Sequence, residues 1–336
     1  MFKKLLKILL GFTLPFVLFG GVFATILLMQ KDIPQDYRLR VEKGQGLAAV
    51  AAQLANDNVV YSKLAMQLAG KINGLDKELR AGSYKIPTKM STWELVEYLK
   101  NKRQRPDATT IRIIEGMRFK DMRKIINENP DLQHDTADWS DEKLLAEIDP
   151  DAPSQYPEGL FFPDSYETDQ GSSDLQVYRA AYKIMQQHLN EVWENRDKTL
   201  PYKNPYELLI MASIVEKETG HPDDRRNVAS VFRNRLEIGM RLQTDPTVIY
   251  GMGDMYNGNI RRKDLETDTP YNTYTRAGLT PTPIALPSRA ALEAAAHPHE
   301  SKYLYFVAKL DGTNRSYFST SLEEHNNAVR KYILKK

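Results

Sequence analysis

Apolar positions fall along this chain in three rhythms. The first is an unbroken run: behind Lys3, Lys4 and Lys7, no charged residue occurs from Ile8 to Met29. At helical rise such a run covers roughly 30 Å, the thickness of a bilayer's hydrocarbon core. It predicts a transmembrane helix over 8–29. The stretch "FATILLMQKD" offers no small-x-small cleavage site, so the run reads as a retained anchor and not as a removed signal peptide. The lysines ahead of it keep residues 1–7 as a cytoplasmic tail under the positive-inside rule. Everything after about residue 31 is then expected outside the cytoplasmic (inner) membrane, on the periplasmic side. Residues 30–37, "QKDIPQDY", read as a polar linker.

The second rhythm is a set of short strand–turn–helix units. "LRVEKGQGLAAVAAQLANDNVV" begins as a strand, turns at Gly44 and Gly46 and continues as an amphipathic helix. "AGSYKIPTKMSTWELVEYLKNK" repeats the idea. Ser91 has the chemistry of an N-cap, Glu94 stands at capping-box spacing, and Leu95, Val96 and Leu99 share one face. "TTIRIIEGMRFKDMRKIINENP" alternates Ile111 and Ile113, turns at Gly116 and ends its helix before Pro130. Residues 131–156 are polar and acidic, with a helix in "WSDEKLLAEI". "YPEGLFFPDSYE" is either a core edge or an aromatic wall for a sugar, and a charged helix follows over about 172–198.

The third rhythm is a helix apolar all round. In "ELLIMASIVEKETG" the run from Leu208 to Val215 has no polar face, then Glu216, Lys217 and Glu218 arrive ahead of Gly220. Beyond it lie a helix with a basic face that stops at Gly239, a polar loop bearing Gln243, Thr244 and Asp245, and a proline-rich loop bearing Tyr271, Asn272 and Tyr274. That second loop enters a helix at Ser288, and a hairpin around "DGTN" and a last helix close the chain. The fold class is α+β, with a mixed α/β second half.

Composition narrows the function classes. Forty-six basic residues against 44 acidic ones give a net charge of +2, without the basic excess of a nucleic-acid binder. There is no cysteine, which removes disulfides and thiolate metal sites. The six histidines form no HExxH pair, and Pro298 separates His297 from His299, so no metal site is expected. Walker, GxGxxG and GxSxG motifs are absent from the sequence.

On a helical wheel Glu216 and Glu218 lie about 200° apart and cannot act as a close pair. A carboxyl in an apolar cleft holds its proton to higher pH and can serve as a general acid. The bland alternative is a frayed helix end whose acids are solvated or paired with Arg225 or Arg226. Loops rich in Asn, Gln, Tyr and Thr suit a carbohydrate, which needs neutral hydrogen bonds and aromatic platforms.

The segments "GSYKIPTKMSTWELVEYLKN", "IIEGMRFKDM", "EGLFFPDSYE", "ASIVEKE", "RLQTDPTVIYG", "YNTYTRAGL", "EAAAHP", "YLYFV" and "FSTSLEEHN" stand in one order along nearly the whole chain. Together they resemble the endolytic murein transglycosylase (MltG, YceG-like) family. The resemblance implies that residues 38–105 form a LysM-like peptidoglycan-binding module and 106–336 the catalytic domain. It implies cleavage of the MurNAc-β-1,4-GlcNAc bond within peptidoglycan glycan strands, leaving 1,6-anhydro-MurNAc ends without cofactor or metal. By match to the motif Glu216 is the single acid/base, with Glu218 supporting; Gln243, Asp245, Asn272 and Tyr274 are expected to hold the sugar. Asp245 and Glu158 are the next carboxylates to consider. Proximity to peptidoglycan synthases at the membrane is a further implication. One departure is "GLTPTPIALPS", where Thr280 and Thr282 replace the family's Pro and Gly. Two other readings compete. One is a non-catalytic peptidoglycan-binding scaffold. The other is a pyridoxal-phosphate enzyme resembling aminodeoxychorismate lyase, for which Lys217 would be the Schiff-base lysine.

Overall fold

A computed structural model describes residues 21–42, 44–101 and 108–334. The predicted cytoplasmic tail and most of the predicted membrane span lie outside them. Residues 21–28 are helical (α1). Among the described residues no helix is long and apolar enough to cross a membrane. Leu27 is buried, and Phe23 and Ile26 pack beside it against protein.

The chain divides into two compact units, the first made of residues up to 109 together with 167–172. It contains β1 (Gln30–Asp32), β2 (Arg38–Val41), α2 (Leu47–Asn56), α3 (Lys63–Asn73), α4 (Leu75–Glu78), β3 (Gly82–Lys85), β4 (Lys89–Ser91) and α5 (Thr92–Asn101). β2 pairs antiparallel with β3, Leu39 opposite Tyr84, and β1 pairs antiparallel with β4, Lys31 opposite Met90. Part of the expected linker over 30–37 is ordered. Its first residues form a strand, and Ile33 is buried with its N–H donated to the Thr88 carbonyl at 2.8 Å. A β-branched apolar residue inside a polar stretch was the sign of that packing. The capping box forms: the Glu94 N–H donates to Ser91 Oγ at 3.2 Å, and the Ser91 N–H donates back to Glu94 Oε2 at 2.7 Å.

The chain then runs through β5 (Ala108–Arg112), α6 (Phe119–Asn127), β6 (Leu132–Gln133), α7 (Asp141–Ile148), β7 (Ser165–Asp169), β8 (Ser172–Ser173) and α8 (Asp174–Asn195). Next come α9 (Pro205–Glu218), α10 (Pro222–Glu237), α11 (Asp245–Met252), α12 (Arg262–Glu266), α13 (Arg289–Ala296), β9 (Tyr305–Ala308), β10 (Ser316–Ser319) and α14 (Leu322–Tyr332). The hairpin is as expected, with Phe306 opposite Phe318 in the antiparallel β9–β10 pair. The polar loop after Gly239 ends sooner than expected. Asp245 already opens α11, with Pro246 in its first turn, where a missing N–H costs nothing.

In the second unit α9 is the central element, packed by α13, α8, α10 and α11. Asn204 caps it, accepting from the Glu207 N–H at 2.9 Å, and Pro205 occupies the first helical position. Every residue from Leu208 to Val215 is buried. The one polar member, Ser213, donates to the Ile210 carbonyl at 2.7 Å and accepts from the Ile284 N–H at 2.9 Å. That second bond fastens the proline-rich loop to the helix.

Candidate functional site

The acids at the end of α9 have different surroundings. Glu216 Oε2 accepts two hydrogen bonds from Ser288, from its N–H at 3.0 Å and from its hydroxyl. Ser288 is itself the N-cap of α13 and accepts from the Ala291 N–H at 3.2 Å. Glu216 thus places a negative charge at a helix N-terminus and ties α13 to α9. Lys217 is exposed and its ammonium donates to the Gly116 carbonyl at 3.0 Å.

Glu218 points elsewhere, as the wheel requires. Its Oε2 accepts from Thr244 Oγ1 at 2.6 Å. Burial raises its pKa above the ordinary glutamate range, and the Asp245 charge adds to the rise. The Thr244 bond and the nearby Arg235 charge oppose this without reversing it. The side chain keeps a partial opening to solvent. Partly exposed, it is a carboxyl whose surroundings favour the protonated form more than water does. Among the described residues neither Glu216 nor Glu218 pairs with Arg225 or Arg226.

The loop before α11 closes around Glu218. Gln243 is exposed and takes a left-handed backbone, φ 49°, while its N–H donates to the Thr273 carbonyl at 3.1 Å. Thr244 is buried, held by the bond from its N–H to Thr273 Oγ1 at 3.1 Å. Arg235, which the sequence reading did not single out, donates to the carbonyls of Leu242 and Leu304, both at 2.7 Å. It braces the chain just before this loop.

Of the residues expected to hold sugar, Asp245 and Tyr274 meet: the Tyr274 hydroxyl donates to Asp245 Oδ1 at 2.6 Å. Both lie close enough to Glu218 to influence it or be influenced by it electrically. Asn272 is placed differently from the expectation. It is buried, and its amide donates to the carbonyls of Asp264, Leu265 and Thr267 while its oxygen accepts from the Tyr274 N–H. All its capacity is spent inside the loop, so it shapes the site from behind. The structure therefore gathers Glu218, Thr244, Asp245 and Tyr274, places Glu216 beside Ser288, and buries Asn272 within its loop.

Thr280 and Thr282 are buried and bonded. Thr280 donates to the Thr282 carbonyl, Thr282 donates to the Pro283 carbonyl, and the Thr282 hydroxyl also meets the Tyr271 hydroxyl at 2.9 Å. Glu158 is buried as well. It accepts from the Phe119 N–H at 3.0 Å and the Tyr250 hydroxyl at 3.2 Å, and burial pushes its pKa up to about 7. It closes the N-terminus of α6.

The YceG-like family profile matches residues 39–331. The endolytic murein transglycosylase of Bacillus subtilis (strain 168) is 31% identical over 327 residues, covering 92% of this chain and 88% of that protein. The endolytic murein transglycosylase of Streptococcus pneumoniae serotype 2 (strain D39 / NCTC 7466) is 26% identical over 352 residues, with 94% of this chain and 62% of that longer protein covered. The crystal structure of the yceG-like protein lmo1499 from Listeria monocytogenes superposes with a TM-score of 0.54 at 29% identity, covering 87% of this chain and 98% of that one.

Proposed function

This chain belongs to the YceG-like family, and from that membership and the surroundings of the two acids at the end of α9 we propose that it is an endolytic murein transglycosylase whose general acid is Glu218. Peptidoglycan is the substrate class that the named relatives carry over to it. The single observation behind the catalytic assignment is the contrast between the two acids. Glu216 accepts two hydrogen bonds from Ser288 at the start of α13, whereas Glu218 is bonded to Thr244 and burial raises its pKa. An acid catalyst must reach its substrate protonated. The motif match put Glu216 in that role; the geometry favours exchanging the two.

The reaction follows from one carboxyl. Ordinary glycosidases need a second carboxylate as nucleophile or base. Here the substrate's own C6 hydroxyl supplies the nucleophile. Glu218 donates its proton to the oxygen of the MurNAc-β-1,4-GlcNAc bond as that oxygen leaves C1 with the bonding pair. The C6 oxygen then bonds to C1, and its proton passes to the Glu218 carboxylate. A 1,6-anhydro-MurNAc end forms, the acid is restored and no water is consumed. Thr244 fixes the carboxyl, and the Asp245–Tyr274 pair and exposed Gln243 border the place where sugar would lie.

Residues 8–29 would hold this site to the cytoplasmic membrane, with the lysines inside and both units outside; the charge pattern supports that placement. Residues 38–105 would be the LysM-like binding module, a reading supported by the compact first unit with its own antiparallel pairs and buried core. So placed, the enzyme would meet new strands beside the synthases. Muropeptide analysis of digested sacculi with Glu218→Gln and Glu216→Gln tests the assignment. Anhydro products should vanish with the first and persist with the second. The opposite pattern restores Glu216 as the acid, and unchanged products from both leave a non-catalytic scaffold as the better reading.

A further inference from the structure

A groove with a volume of about 520 Å³ runs between the last turns of α8 and the start of α10, floored by α13. That volume lies within the usual span of ligand pockets, about 300–1,000 Å³. Its charged lining is Glu191, Arg225, Arg226, Arg289 and Glu293. The charges are unevenly matched. Arg289 is fully engaged, bonded to Glu191 through two nitrogens and to Glu293 through Nε. Arg226 is held by one bond, from Nε to the His297 carbonyl at 2.7 Å. Arg225 has no hydrogen bond or ion pair among the described residues, and its Nε is shielded from solvent. An unpartnered guanidinium on a groove wall keeps its terminal nitrogens available to an acceptor that enters the groove.

The groove adjoins the reacting end of α9. Pro222, on its wall, is four residues beyond Glu218, and Arg289 directly follows Ser288, the partner of Glu216. We infer that this groove is a subsite for the peptide branch of the glycan, with Arg225 and Arg226 receiving a stem-peptide carboxylate. Guanidinium forks match a carboxylate in two parallel bonds. A phosphate could use the same forks. The two acids in the lining disfavour a densely charged diphosphate and tolerate a peptide that carries carboxylates and an amine. Val192, Ala290 and Ala294 give its methyl groups an apolar wall. The inference rests on the transglycosylase reading for the identity of the branch, and on the groove alone for the chemistry of the ligand.

Two measurements separate those dependencies. In the first, free stem tetrapeptide is titrated calorimetrically into full-length Glu218→Gln protein, with and without Arg225→Gln and Arg226→Gln. Binding that weakens about tenfold or more on losing both arginines is expected, the scale of charge-assisted hydrogen bonds. No binding, or binding indifferent to the arginines, overturns the subsite. Pyrophosphate binding that the arginines control, with no tetrapeptide binding, overturns the peptide in favour of a phosphate. In the second, kcat/KM is compared on glycan strands with peptides and on strands stripped by an amidase. The double arginine variant should lower the ratio of the two by about tenfold, and an unchanged ratio overturns the proposal. If the wild type cuts neither strand, the transglycosylase reading fails, and the titration still decides the groove.

Discussion

Thr244 Oγ1 stands 2.6 Å from Glu218 Oε2 and donates to it across 26 positions of sequence. The bond favours the ionised carboxylate, against burial, which favours the acid. Removing it in Thr244→Val should raise the pKa of Glu218 further, so the alkaline limb of the pH–rate profile moves to higher pH. Turnover should also fall about tenfold because the carboxyl loses its anchor. Thr244→Ser keeps the hydroxyl and should restore both. A Val variant with an unmoved limb would detach Thr244 from the chemistry.

Ser288 has a separate task. Ser288→Ala removes the side-chain cap of α13 and one of two donors to Glu216. Loss of an N-cap costs about 1 kcal/mol, and the lost bond to a charged partner adds a similar amount. Chemical denaturation should show that loss while the rate per folded molecule stays near the wild type. A fall in rate as deep as that of Glu218→Gln would return Glu216 to the reaction.

Much of the fold is legible in local pattern, because local pattern is what caps, turns and amphipathic faces depend on. Ser91 and Glu94 form their capping box, and the unrelieved apolar run of α9 is buried on every side. The wheel separates Glu216 from Glu218 correctly, but it cannot tell what each one meets. That depends on Ser288 and Thr244, each brought in by tertiary packing from elsewhere in the chain. Asn272 shows the same limit: its residue type suits a sugar, and only the loop's path shows its amide spent on three carbonyls. The start of α11 was readable, since Thr244, Asp245 and Pro246 are a helix-opening triplet. The strand over residues 30–32 was not, because its partner lies beyond three helices.

Gly159 controls how closely the proline-rich loop approaches Glu158. Its φ is +79°, and a Cβ there would lie 2.4 Å from Pro283 Cβ and 2.6 Å from Pro283 Cγ. Gly159→Ala should destabilise the protein by about 2–4 kcal/mol, left-handed strain and overpacking together. Gly171 has nearly the same φ, +78°, with nothing within 4 Å of its would-be Cβ. Gly171→Ala should therefore cost only the strain, about 1–2 kcal/mol. Equal losses in thermal melts would mean that the Pro283 contact yields freely.

Glu158 should make stability depend on pH in a defined window. Its ordinary value of 4.5 is raised to about 7 by burial. Below 4.5 the carboxyl is protonated in both folded and unfolded chains and contributes no difference. Between 4.5 and about 7 the unfolded chain releases the proton and the native one keeps it. The native state then binds more protons, so stability falls as pH rises through the window and levels off above it. The shift corresponds to a loss of at most about 3 kcal/mol. Glu158→Gln has no proton to release and can still accept from the Phe119 N–H. The stability of the variant minus that of the wild type should therefore grow from pH 4.5 to pH 7 and then stay constant. Denaturant melts across that range measure it directly. A difference independent of pH would show that Glu158 titrates as an ordinary carboxyl, and that Tyr250 and the Phe119 N–H stabilise its anion as well as water does.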